Sequence, residues 1–141
     1  MSYTHSITVS LSYKDAVTRT RAALAEHGFG VLSEIDVRAT FDKKLGTDAA
    51  EAVGDYVILG ACNPTLASKA LAAEPELGAL LPCNVVVRRG PGDDGTTVEA
   101  IDPQTMVKLG ESDQVREVAA DADARLQAAL ADIAGGNESG S

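Results

Sequence analysis

The chain holds two cysteines, and each is followed by asparagine: Cys62-Asn63 and Cys83-Asn84. Cys62 stands between an apolar run, Tyr56-Val57-Ile58-Leu59, and a helix-like segment that opens at Asn63-Pro64. A thiol just ahead of a helix meets unpaired backbone N–H groups and the positive end of the helix dipole. That setting lowers a cysteine pKa and suits a nucleophile, a metal ligand or a small-anion contact. The plainer reading is a buried cysteine serving as a small hydrophobe at a strand end. Cys83 opens a second apolar run, Val85-Val86-Val87. Together the two thiols could form a redox pair or a soft site for Cu(I) or zinc. Their spacing matches no Cys-x-x-Cys pattern, and a tetrahedral zinc site needs two more ligands.

Other residues offer weaker chemistry. Asn63 and Asn84 are candidate polar contacts for a ligand, and Asn63 is equally a helix cap. His5 and His27 are the two histidines; nothing in the sequence places either near a cysteine, and His27 reads as a helix-end residue. Glu34 and Asp36 share one face of a strand, so they could act as an acid–base pair or simply form a solvated face. Asp102-Pro103 reads as a turn or a helix start. Gly28-Phe29-Gly30 follows a helix instead of a strand, which is the wrong context for a dinucleotide fingerprint. No Gly-Lys-Ser/Thr loop and no Gly-x-Ser-x-Gly elbow occurs.

The elements that must position these groups follow from periodicity. Alternation over residues 6–11 predicts a strand with Ile7, Val9 and Leu11 on one side. Ser12 caps a helix, with Asp15 at the capping-box position, and Gly28 ends it. Residues 29–40 alternate again and predict a strand: Val31, Ile35, Val37 and Ala39 on one face, Glu34, Asp36 and Arg38 on the other. Residues 41–45 read as a helical turn, and 47–55 as a loop. A strand over 56–61 leads to a helix over 65–74, which Pro75 stops. Residues 76–81 suggest another helical turn. Strands over 83–89 and 96–102 form a hairpin around Gly90-Pro91-Gly92-Asp93-Asp94-Gly95. Pro103 starts a short turn. A last helix carries Val115, Val118, Ala119, Ala122, Leu126, Ala129, Leu130 and Ile133 on one stripe.

Because the strands alternate, each has one covered face. That pattern predicts an α+β fold: two layers, a mainly antiparallel sheet, and helices packed on one side. The 141 residues suit one domain, placed at 1–134, with a flexible Gly/Ser-rich tail at 135–141. With 4% aromatics and no Trp, the core must be aliphatic. A formal charge of -9 argues against nucleic acid and anionic membrane surfaces as partners. No apolar run approaches a membrane span and no signal peptide is visible. The expected location is therefore the cytoplasm, where thiols stay reduced.

Several segments, in order, resemble the domain-of-unknown-function 302 family. They are Gly28-Phe29-Gly30-Val31-Leu32-Ser33-Glu34-Ile35-Asp36, Lys44-Leu45-Gly46, Leu59-Gly60-Ala61-Cys62-Asn63-Pro64, Glu74-Pro75-Glu76-Leu77-Gly78, Leu81-Pro82-Cys83-Asn84-Val85 and Ile101-Asp102-Pro103. The likeness spans about residues 5–134. It implies a two-layer α+β domain with an antiparallel sheet and a homodimer, and it implies no reaction. Some relatives carry histidine or tyrosine near Ser68, so a role resting on that side chain does not transfer to this chain.

The sequence thus points to a small-ligand, metal or thiol-dependent accessory binding protein more than an enzyme. Cys62, Asn63, Cys83 and Asn84 are the expected contacts for a small polar ligand or a soft metal ion, with Cys62 and Cys83 the metal candidates. The competing expectation is a structural or interaction homodimer with both cysteines in the core.

Overall fold

The computed structural model describes residues 3–109 and 112–139. Five strands form one sheet: β1 (Thr4–Val9), β2 (Gly30–Asp36), β3 (Asp55–Cys62), β4 (Cys83–Arg89) and β5 (Thr96–Ile101). Their order is β1-β5-β4-β3-β2, and every neighbouring pair is antiparallel. The helices are α1 (Tyr13–Glu26), α2 (Val37–Leu45), α3 (Thr47–Val53), α4 (Pro64–Ala73), α5 (Gln104–Leu109) and α6 (Asp113–Ser139). A 3-10 turn over Pro75–Leu80 follows α4. The fold is α+β, as the strand alternation requires.

Two cores share α6. One lies under the sheet, where Val57, Leu59, Ala61, Val85, Val87, Val98 and Ala100 meet Ala16, Ala23 and Leu24 of α1 and Leu126, Leu130 and Ile133 of α6. The other packs Leu66 and Ala70 of α4 and Leu77 against Val115, Val118 and Ala122 of α6. A single stripe on α6 therefore serves the sheet with its later turns and α4 with its earlier ones.

The sequence reading needs four corrections. The strand expected over 29–40 ends at Asp36, whose carboxylate accepts the Ala39 N–H at 2.9 Å and caps α2. Val37 and Phe41 recur at helical spacing as well as by alternation, and the cap decides between the two. Residues 47–53 form α3, not a loop, and its Ala50 is buried. A bulge between Val31 and Ser33 shifts the β2–β3 register, so Val31 pairs with Ala61 while Ile35 pairs with Ile58. Those two side chains consequently lie on opposite faces instead of sharing one. Helical backbone also continues to Ser139, past the start expected for the tail at 135; residues 140 and 141 of that tail, and residues 1 and 2 of the expected domain, lie outside the described residues.

Candidate functional site: a cavity at the seam of two cores

Both cysteines reach one place. Cys62 ends β3 and pairs with Gly30 of β2, while its neighbour Ala61 pairs with Cys83 at the start of β4. Asn63 then turns the chain into α4. Its side chain accepts the Leu66 N–H at 3.0 Å, and Pro64 occupies the first turn. The cap is the expected one. Leu81-Pro82, joined by a cis peptide bond, brings the chain back into β4.

Between these pieces lies an apolar cavity of about 30 Å³. Phe29, Ala61 and Cys83 form its sheet side, Leu66, Ala67 and Ala70 its α4 side, and Val118 and Ala122 its α6 side. Cys62, Asn63, Leu81 and Pro82 complete the lining. The space exists because alanines, not larger side chains, meet where the two cores join. Its size suits one group no larger than a water or a methyl. A larger depression of about 390 Å³ runs along α1, but it is an open groove rimmed by Asp15, Arg19 and Glu26 and holds neither cysteine.

The two sulfurs differ. Cys83 is 7% exposed and Cys62 is partly exposed. Burial, with a smaller contribution from neighbouring Cys62, pushes the Cys83 thiol up to about 11. Cys83 therefore stays protonated near neutrality, and only Cys62 is placed to meet a solution reagent. Asn63 joins the cavity lining, but its carbonyl oxygen is committed to the α4 cap. Asn84 is exposed and is absent from that lining.

Packing behind the cavity is tight. Gly28 has φ of +91°, and a Cβ there would stand 2.9 Å from both Arg125 Nη1 and Asn63 Nδ2. Arg125 reaches over this glycine to donate to the His27 carbonyl at 3.1 Å. On β3, a Cβ at Gly60 would run into Ser33 Oγ and come within 2.8 Å of Pro82 Cγ.

Glu34 and Asp36 do not form an acid–base pair. Glu34 is bound by Arg21, and Asp36 is the α2 cap. They act instead on Tyr13, whose hydroxyl is raised to about 12 by burial and then by Asp36, Asp55 and Glu34. The histidines stay away from the thiols. His27 meets Asp132 at 2.6 Å, and His5 meets Asp123 at 2.7 Å. Both aspartates belong to α6, a pairing no local motif announces.

The family model described as "Domain of unknown function DUF302" matches residues 5–133. The chain belongs to this family. A solved structure, the crystal structure of uncharacterized conserved protein DUF302 from Bacillus stearothermophilus, is similar at a TM-score of 0.81 and 28% identity. The match covers 94% of this chain and 98% of that one. No curated protein matches. In this DUF302 chain, three of the segments that carry the likeness meet at the cavity: Phe29 from the first, Ala61-Cys62-Asn63 from the third, and Leu81-Pro82-Cys83 from the fifth.

Proposed function

We propose that this chain is a binding protein, with the seam cavity taking a small apolar or soft group against the Cys62 sulfur. The observation that carries this reading is that both cysteines line one apolar space, with Cys62 partly exposed and Cys83 buried. Among the described residues, the cavity lining includes no histidine, lysine or carboxylate. A reaction needing a general base has no partner there, which favours binding over catalysis. Beside the two cysteines the described lining offers no histidine or carboxylate to complete a tetrahedral metal centre, so the soft-ligand role narrows to the more exposed Cys62. A reducing compartment, the cytoplasm, would keep Cys62 available.

The test is a thiol titration of the native protein with an aromatic disulfide reagent. One thiol should react before denaturation and be missing in Cys62→Ser, while Cys83 reacts only in denaturant. Two silent thiols in the native protein, or unchanged labelling of Cys62→Ser, would sink the reading.

A second reading, self-association, rests on the opposite face of the sheet. The strand register sets Ile35, Ile58 and Val86 side by side across β2, β3 and β4. Ile35 is 50% exposed, and Ile58 and Val86 are partly exposed. Glu99 continues this row and is neutralised by Arg88 at 2.6 Å. An apolar strip whose flanking charges cancel suits a second copy of a chain carrying net charge -9.

A further inference from the structure

We propose that His5, Asp102 and Asp123 form a binding site for a divalent transition-metal ion. The three come from separate parts of the chain. His5 is on edge strand β1, Asp102 directly follows β5, and Asp123 is in the middle of α6. The β1–β5 ladder sets His5 opposite Ala100, and the Asp102 N–H extends that ladder by donating to the Tyr3 carbonyl at 2.8 Å. Helix α6 supplies the third donor: its docking against β1 brings Asp123 to the same end.

One ligand atom from each residue lies within 4.8 Å of the other two. His5 Nε2 stands 2.7 Å from Asp123 Oδ1 and 3.7 Å from Asp102 Oδ1. Metal–ligand bonds of about 2.0–2.2 Å place neighbouring donors about 3–3.5 Å apart, so shifts of about 1 Å would admit an ion. The side chains are 29%, 24% and 18% exposed for His5, Asp102 and Asp123, enough to reach yet shielded from bulk water.

The donors are already held. Asp102 Oδ1 accepts the Gln104 N–H at 2.9 Å, and Asp123 Oδ2 accepts from Gln127 Nε2 at 3.0 Å. Outer hydrogen bonds of this kind fix carboxylates for ligation. Among the described residues, no lysine or arginine ion pair reaches either aspartate. Two partly buried carboxylates and one imidazole thus converge on one place, a donor set that a divalent ion satisfies. An imidazole with two carboxylates suits zinc, manganese or iron(II), whereas magnesium and calcium prefer oxygen-only shells. Three protein donors leave positions open for water or an incoming ligand. The site shares no residue with the Cys62 cavity, so each proposal can fail without the other.

The experiment is calorimetric titration of zinc into the metal-free full-length chain, alongside thermal melts with zinc and with magnesium. We expect one zinc per chain and a melting temperature raised by zinc and not by magnesium. Binding should persist in Cys62→Ser and His27→Ala, and weaken by about tenfold or more in His5→Gln and Asp123→Asn. Melts without zinc show whether those variants fold. Should either fail, Asp102→Asn, which keeps an oxygen for the Gln104 N–H, decides the matter. Absence of zinc binding, an equal response to magnesium, unchanged affinity in the folded ligand variants, or loss in Cys62→Ser would each overturn the site.

Discussion

At the scale of single residues, the two thiols have different physics because they differ in access to water. The Cys83 thiol lies at about 11 against its ordinary 9.0, chiefly through burial. Below pH 9 both the folded and the unfolded chain hold this proton, so it adds nothing to the pH dependence. Between pH 9 and 11 the unfolded chain loses the proton and the folded one keeps it. The Cys83 contribution to folding stability must therefore fall with rising pH across that window, by about 1.4 kcal/mol per pH unit, and level off above it. We expect urea unfolding to show a decline between pH 9 and 11 steeper by about 2–3 kcal/mol in wild type than in Cys83→Ala. Tyr13, raised from 10.0 to about 12, adds a decline between pH 10 and 12 that is common to both proteins and cancels in the comparison. Equal slopes would mean that Cys83 titrates normally. The cysteines themselves were legible as candidates from their neighbours Asn63 and Pro64. Their unequal burial was not, because β3 and β4 are joined by a helix and a turn whose packing no local pattern reports.

At the scale of elements, caps decide where one structure hands over to the next. Asn63 both closes β3 and starts α4 through its bond to the Leu66 N–H. Asn63→Ala should cost about 1 kcal/mol in denaturant unfolding, whereas Asn63→Asp should retain most of that stability, since a carboxylate also caps and favours the dipole. A full loss in Asn63→Asp would show that its amide nitrogen, beside Gly28 and Arg125, matters more than the cap. Asp36 plays the same part for α2. Alternation through Val37 and Ala39 concealed that boundary, because two or three residues fit a period of two and a period of 3.6 about equally well. Helix α3 was hidden for another reason. Its segment, Thr47-Asp48-Ala49-Ala50-Glu51-Ala52-Val53, is made of fair helix formers but buries only Ala50, so it has almost no apolar stripe to read. By contrast the long stripe of α6 was plain, although its division between two cores was not.

At the scale of the whole molecule, the sheet has one face under α1 and α6 and another carrying Ile35, Ile58 and Val86. A stable dimer through that face would bury about 1,200–2,000 Å² in total. Sedimentation of wild type at micromolar concentration should report a dimer, and Ile58→Lys should report a monomer with an unchanged circular dichroism spectrum. A monomeric wild type would remove the self-association reading and leave the cavity proposal standing. The sequence by itself determined the α+β class, all five strands, the hairpin, the Ser12 and Asn63 caps and the pair of cysteines worth watching. These are local properties, set by side-chain periodicity and by backbone groups seeking partners within a few residues. Tertiary structure alone decided that Cys62 and Cys83 share a cavity, that Asn84 stays outside it, and that His5 meets Asp102 and Asp123. The last contact joins residues 118 positions apart. Such meetings depend on strand register and on how α6 docks across the sheet, and both are settled by the packing of the whole core.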